Sequence, residues 1–182
     1  MKKVILSSIL ALGLSINLSA YEINGDLGVK WTGFKTAKKI PVSGTFKDIK
    51  ISIKENDDLS KFLTSSNVEI KTASFDSQNE GRDASITSTL FSLATSKVIK
   101  GKIKSVDEAN KTLVLNVNMN EVSKEVPMSF DIKDGNIIAS GTIEILDFAM
   151  KAPYLAFAKK CAALHENKSY SDVDIKFTIP FK

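Results

Sequence analysis

The residues best suited to chemistry in this chain are one cysteine and one histidine, four positions apart. Cys161 and His165 occur in a segment with helical periodicity, so this spacing places both on one face of a helix. Such a pair could activate a thiol or supply half of a metal site. However, Cys161 also belongs to an apolar stripe, His165 falls at the helix end, where a cation suits the dipole, and no third ligand is nearby. We therefore predict structural roles for both residues, with no catalytic residue and no metal site.

The carboxylates show no catalytic pattern. Asp57-Asp58, Asp107-Glu108 and the Asp172–Asp174 segment fall in predicted turns or on polar faces, which is typical of solvated positions, although pairing across strands stays open. A single cysteine excludes haem attachment through Cys-x-x-Cys-His, and no glycine loop that could cradle a phosphate is present. The sequence thus predicts a protein that is not an enzyme and has no cofactor.

The first twenty residues have the three parts of a secretory signal peptide. Met1–Lys3 is positively charged, residues 4–14 are apolar, and the small residues Ser19 and Ala20 end the segment. We predict a signal peptide over residues 1–20, with cleavage after Ala20, and one soluble domain over residues 21–182.

Composition limits the classes of partner. Removal of the signal leaves 23 basic against 21 acidic residues, a net charge of +2, which gives no reason to expect nucleic acid as a partner. Cys161 has no internal partner, so hydrophobic burial rather than disulfides must hold the fold. No later run approaches about 18 apolar residues, so we expect no integral membrane segment after signal removal.

Strict alternation of apolar and polar residues dominates the mature chain and predicts strands with one buried face. Eight antiparallel strands of this kind favour a closed barrel or a sandwich. The predicted strands span residues 27–34, 42–54, 67–75, 98–106, 112–120, 124–133, 136–146 and 172–181.

Local signals refine this prediction. Lys133–Asn136 has Asp-Gly at its centre and predicts a tight hairpin between two of the strands. The inward parity changes near Lys47-Asp48, which predicts a β-bulge there.

Two segments have helical periodicity instead. Asp83 is a candidate cap for a short helix, and Pro153 for the start of a second one, each lying across a barrel opening or against the outer wall. The apolar stripe of the first helix is Ile86, Leu90 and Leu93, and that of the second is Tyr154, Phe157, Cys161 and Leu164.

Most aromatic side chains fall on the inward parity of the predicted strands. They could line an apolar cavity or fill the interior of a small barrel, and packing alone favours the filled core because cavities are rarer. These residues are Trp31, Phe34, Phe46, Phe75, Phe91, Phe130, Phe148 and Phe177.

The order of motifs resembles the YceI-like family of exported, lipocalin-like barrels that bind polyisoprenoids and related amphiphilic lipids. Val29–Lys35 and Val42–Phe46 are similar to its tryptophan strand and glycine-phenylalanine hairpin. Arg82–Ile86 resembles its arginine-aspartate segment, and Leu146–Met150 its aspartate-phenylalanine-glycine stretch, with Ala149 in place of the usual glycine. The histidine-serine pair that many members carry after their first tryptophan is absent here.

The resemblance implies an all-β, extended eight-stranded antiparallel lipocalin-like barrel with one or two short helices and an apolar tunnel. It implies a periplasmic carrier for a polyisoprenoid, an isoprenoid quinone or a fatty-acid derivative, with a homodimer as one compatible assembly. Arg82 is the candidate contact for an anionic head group, or else a structural partner of Asp83 or Glu80. The expected tunnel residues are the eight aromatic residues above together with Leu90, Met119, Met128 and Ile143.

Two other functions remain as alternatives. A filled barrel could bind an envelope partner through its outer face, and the polar segment Glu55–Asn67 is the loop most suited to that role. An enzyme would have to use Cys161 and His165. The state of the interior, hollow or filled, distinguishes the carrier from the interaction protein.

Overall fold

The computed structural model describes residues 20–182, so the predicted signal peptide, apart from Ala20, lies outside the described residues. Ten strands in this part of the chain form one antiparallel sheet in the order β3-β4-β6-β7-β8-β9-β10-β1-β2-β5. The all-β antiparallel prediction is therefore confirmed, but the strands number ten rather than eight. They are β1 Gly28–Lys35, β2 Ile40–Phe46, β3 Ile49–Ser52, β4 Asn67–Lys71, β5 Phe75–Asp76, β6 Val98–Asp107, β7 Thr112–Met119, β8 Val122–Lys133, β9 Asn136–Glu144 and β10 Asp172–Pro180.

Two of the predicted strands, 42–54 and 67–75, are each divided in two, which accounts for the ten strands in place of eight. The predicted strand 42–54 becomes β2 and β3. These strands lie toward opposite edges of the sheet, because β2 pairs with β1 whereas β3 pairs with β4. The chain breaks at Lys47-Asp48, where Lys47 N donates to Ser74 O at 2.9 Å. The prediction of a bulge there is wrong. The inward parity changes because the chain passes from one edge of the curled sheet to the other.

The β8–β9 hairpin forms as predicted. Asp134 and Gly135 both have positive φ, 51° and 69°, as a tight hairpin turn requires. The hydrogen-bonded ladder of this hairpin begins at the pair of Lys133 with Asn136 and ends at the pair of Ser129 with Ser140. It therefore stops two residues short of Pro127, which has no N–H to donate. After β9, the 3₁₀ turn Ile145–Phe148 packs against β8. The sheet as a whole is a curled half-barrel.

Helix α1, Leu59–Thr64, lies inside the segment predicted to be a polar loop. Asp58 caps it by accepting a hydrogen bond from Lys61 N at 2.9 Å. Leu59, Phe62 and Leu63 are buried, and Phe62 stacks on Tyr21 with ring centroids 5.9 Å apart. The segment Glu55–Asn67 is thus largely a plug for one end of the sheet rather than a free binding loop.

Helix α2, Glu80–Ile86, begins earlier than predicted. Its cap is Asn79, which accepts from Arg82 N at 2.9 Å, while Asp83 accepts from Ser77 N at 3.0 Å. Asn79 lies about one turn before Asp83, and both Asn and Asp are residue types that favour the N-cap position of a helix. The helix continues as a π turn, residues 87–91, and this wider turn leaves Leu93 57% exposed instead of on the apolar stripe.

Helix α3, Lys151–Lys160, contains Pro153 in its first turn and ends before Cys161. The predicted apolar stripe of this helix therefore does not include Leu164. This residue follows in a separate 3₁₀ turn and is 73% exposed. Lys160 Nζ donates to Ser88 Oγ at 2.7 Å, which joins α3 to the π turn after α2. Both helices cover the end of the sheet opposite α1.

The interior differs between these two ends. Buried residues at the strand ends near α1 pack together with Phe62 and Leu63, including Leu113, Phe130 and Ile137. Ile137 and Phe62 are completely inaccessible to solvent. The end covered by α2 and α3 encloses open space, which forms the candidate site.

Candidate functional site

An apolar cavity of about 620 Å³ opens at the end of the sheet that α2 and α3 cover. This volume lies within the range of about 300–1,000 Å³ that is typical of small-molecule sites. Aliphatic and aromatic side chains form most of its wall, because the inward positions of the strands are apolar. Strand residues on the wall include Ile51, Val68, Ile99, Leu115, Val117, Ile175 and Ile179.

Strand β1 forms one side of the cavity with every second residue. Trp31, Gly33 and Lys35 all border it, as the alternation of a strand requires. A Cβ atom at Gly33 would meet no other atom within 4 Å, so the glycine leaves space in the cavity. Phe34 has the opposite parity and also borders the cavity, with the Lys39 ammonium 5.3 Å from its ring centroid.

An aromatic cluster closes the cavity below α2. Trp31 stacks on Phe75 with centroids 4.5 Å apart and planes 22° apart, and Phe75 contacts Phe46 and Phe91 at 5.7 and 5.6 Å. The Trp31 Nε1 atom is buried and has no hydrogen-bond partner among residues 20–182. Stacking and shape, rather than a hydrogen bond, therefore fix the indole ring.

Gly44 is required where the indole packs on β2. A Cβ atom there would lie 2.6 Å from Trp31 Cζ2 and 2.9 Å from Ser77 Cα. We expect Gly44→Ala to lower the free energy of unfolding by about 1–3 kcal/mol through overpacking, measured by chemical denaturation. Gly28→Ala is the matched control, because its Cβ atom would lie at an ordinary 3.7 Å from Thr178 Cβ. Equal stability of the two variants would contradict the packing argument.

The structure places nine of the twelve residues predicted to line a tunnel on the cavity wall. They are Trp31, Phe34, Phe46, Phe75, Leu90, Phe91, Met119, Ile143 and Phe177. Whether they bind a ligand stays a prediction.

The other three, Met128, Phe130 and Phe148, lie in the packed core instead. Met128 packs so closely against Gly141 that a Cβ atom there would lie 2.9 Å from Met128 Cγ. Phe130 is near α1, and Phe148 is 1% exposed in the 3₁₀ turn against β8. Parity identifies the inward face of a strand but not the depth along the barrel.

Sequence reasoning missed several wall residues. Gly33 and Lys35 continue the alternation of Trp31 and could have been found from it. Phe157 belongs to the predicted apolar stripe of the second helix, and it borders the cavity from α3. Tyr170 reaches the wall from the loop before β10, where no periodic signal exists.

Arg82 also borders the cavity, and its guanidinium has no acidic partner in the part of the chain that the structure describes. Its Nη1 atom donates to Ser77 O at 3.4 Å, and within residues 20–182 neither Glu80 nor Asp83 forms an ion pair with it. Asp83 instead accepts hydrogen bonds from the backbone N–H and the hydroxyl of Ser77. The predicted structural pairing of Arg82 with one of these carboxylates is absent here.

Cys161 and His165 lie together beside the cavity, but their environment opposes thiolate chemistry. Burial raises the pKa of the Cys161 thiol, and the nearby Lys160 and Lys35 offset this only in part. His165 Nδ1 lies 2.8 Å from Ser169 Oγ, which occupies that ring nitrogen. Among the described residues no group of three His, Cys, Asp or Glu side chains could hold a metal ion. The thiol is therefore protonated and unreactive near neutral pH.

Burial, with a further contribution from Lys35, lowers the pKa of His165 below its ordinary value of about 6.5. Since this is the one histidine in the sequence, its imidazole NMR signals report that pKa directly. We expect the folded protein to titrate below 6.5. The unfolded chain then binds the proton first, so this residue lowers the free energy of unfolding as the pH falls from about 7 through the folded-state pKa. A midpoint at or above 6.5 would show that the ring is more solvated than its contacts indicate.

No helix within residues 20–182 has the length and apolar character needed to span a membrane.

A curled antiparallel sheet that encloses an apolar cavity defines a class of β proteins whose ligand site is the interior of the sheet. A family model described as the YceI-like domain matches residues 15–181, and the chain belongs to this family. No curated protein matches the chain.

Solved structures share the fold at low sequence identity. BcnA of Burkholderia cenocepacia superposes with a TM-score of 0.62 at 15% identity, covering 87% of this chain and 98% of BcnA. A polyisoprenoid binding domain from Saccharophagus degradans has a TM-score of 0.62 at 14% identity, with 90% and 98% covered. The Campylobacter jejuni YCEI protein has a TM-score of 0.52 at 20% identity, with 76% and 82% covered. These likenesses extend the family assignment to the fold.

Proposed function

We propose that this protein is a periplasmic carrier that sequesters an amphiphilic lipid in its cavity and does not turn it over. The candidate ligands are a polyisoprenoid, an isoprenoid quinone or a fatty-acid derivative. The observation that carries the proposal is the apolar cavity of about 620 Å³ beneath α2 and α3.

The energetics of such a site need no specific polar chemistry. Burial of an alkyl or prenyl tail contributes about 0.8 kcal/mol per CH₂ group, so eight to ten buried groups supply roughly the free energy of micromolar binding. The wall residues are held in place by strand pairing and by the packed core, so little ordering free energy opposes binding.

Two further observations support the choice of ligand and compartment. The structural neighbour from Saccharophagus degradans is a polyisoprenoid binding domain, which favours a lipid of that class. The predicted signal peptide over residues 1–20 favours export, and a greasy molecule that crosses the aqueous space between two membranes needs a shielded interior.

The alternatives have less support. The interaction-protein hypothesis assumed a filled interior and a free loop at Glu55–Asn67, whereas one end is hollow and that segment contains the buried face of α1. The enzyme hypothesis needs a reactive Cys161, and burial raises the pKa of this thiol.

Native mass spectrometry of protein purified without detergent from its own periplasm tests the proposal. We expect a noncovalent adduct that organic extraction identifies as a lipid. Trp31 is the one tryptophan and borders the cavity, so its emission should change when delipidated protein is titrated with a defined prenol such as farnesol. Protein that is consistently empty and gives no response to farnesol would contradict the carrier role.

A further inference from the structure

The charged residues that border the cavity all have the same sign. Among residues 20–182, Lys35, Arg82, Lys100 and Lys176 border it, and no Asp or Glu residue does. The mature chain carries nearly equal numbers of acidic and basic residues, so this excess of cations belongs to the site and not to the overall composition. Those of these cations that face the apolar space select for the charge of whatever enters.

Lys35 is directed toward the cavity, unlike the other two lysines. It continues the inward series of Trp31 and Gly33 at the end of β1 that α3 covers. Lys100 and Lys176 alternate with inward residues, so they lie on the outer face, where Lys100 pairs with Glu69 at 3.5 Å.

No carboxylate of residues 20–182 lies within ion-pair distance of the Lys35 ammonium. Its positive charge also acts to lower the pKa of Cys161 and of His165, which places the ammonium near both side chains. Lys35 is therefore a half-buried cation without a neutralising partner.

Arg82, on α2, supplies a second such cation at the cavity wall. It shares the cavity side of α2 with Ser85 and Ile86. Within residues 20–182 its guanidinium makes one hydrogen bond, from Nη1 to Ser77 O, and this bond is long at 3.4 Å. Most guanidinium N–H groups are thus free to donate to an incoming acceptor. Arg and Lys are the residues that bind carboxylate and phosphate groups most strongly.

We propose that the cavity selects amphiphiles with an anionic head, a carboxylate or a phosphate monoester, held by Arg82 and Lys35 while the tail occupies the apolar space. This inference rests on the proposed carrier function and narrows its ligand class, since neutral quinones and prenols lack the group that these cations would bind. The tail supplies most of the affinity, and the head supplies the selectivity.

The test compares farnesyl phosphate with farnesol, which have the same tail and differ only in the head. We expect the wild-type protein to bind farnesyl phosphate at least about tenfold more tightly, the value of one charge-assisted hydrogen bond. In the double variant Lys35→Met with Arg82→Met, this ratio should fall to about one through lost affinity for the phosphate, while the affinity for farnesol stays within about twofold. The matched control is Lys30→Met with Lys102→Met, which removes the same net charge from exposed positions and should keep the wild-type ratio.

Two measurements on the unmodified protein make the test independent of variant folding. Added salt should weaken binding of farnesyl phosphate but not of farnesol. Inorganic phosphate at equal concentration should not displace farnesyl phosphate, because it lacks the tail.

Equal wild-type affinities for the two probes, an unchanged ratio in the double variant, or displacement by inorganic phosphate would each overturn the inference and leave the carrier function standing. Failure of both probes to bind would overturn the carrier function itself.

Discussion

Gly33→Phe is expected to weaken lipid binding about a hundredfold while the protein stays folded. The new side chain enters space where a Cβ atom meets nothing within 4 Å, and Gly33 does not have a positive φ. A phenyl ring in the cavity displaces roughly four methylene groups of a tail, which is about 3 kcal/mol of lost burial. Phe also suits a strand better than Gly, so the free energy of unfolding should not fall. Titration with farnesol, followed by displacement of a fluorescent lipid, measures the effect.

Gly28→Phe is the matched control, with the same substitution on the same strand. Gly28 does not border the cavity, and its Cβ atom would make only ordinary contacts with Thr178. We expect wild-type affinity from this variant. If Gly33→Phe binds farnesol as well as the control does, the lipid lies elsewhere.

Phe62→Ala is expected to lower the free energy of unfolding by about 3–5 kcal/mol. Phe62 is completely buried on α1 and stacks on Tyr21, so its removal leaves a cavity that rigid strands cannot collapse to fill. Urea denaturation measures the loss, and the folded fraction should retain its affinity for farnesol because the site is at the other end of the sheet.

The control for this substitution is Leu164→Ala, at a position 73% exposed, which should change the stability by no more than about 0.5 kcal/mol. Phe62→Leu keeps most of the volume and should cost about 1 kcal/mol. A loss below about 1 kcal/mol for Phe62→Ala would mean that the packed end contributes little to folding.

Alternation made much of the sheet predictable from sequence. It identifies the faces of β6 to β10 because each strand has one dry and one wet side, and Asp134-Gly135 fixes the hairpin between β8 and β9. Breaks in strands were harder to predict. A change of inward parity at Lys47-Asp48 fits either a bulge or a passage of the chain between the two edges of the sheet. Only the pairing partners of β2 and β3 distinguish the two.

Helix boundaries and depth within the barrel were also hard to predict from local patterns. Asn79 and Asp83 are equally good caps, and the choice depends on the tertiary contact of Asp83 with Ser77. The inward face of β8 predicted Phe130 as a wall residue, but its distance along the barrel axis places it among packed residues near α1. The missing acidic partner of Arg82 depends on the same tertiary contact, which no sequence window contains.

The packed end near α1 and the open end below α2 and α3 have consequences for how such a protein can change over time. Because the packed end has buried residues of its own that do not border the cavity, substitutions of the partly buried residues on the cavity wall carry a small risk of unfolding the molecule. For the proposed carrier, the preferred tail length and head-group charge of the ligand can therefore change one residue at a time, without compensating changes elsewhere. A scaffold divided in this way can acquire a new cargo while it keeps its shape.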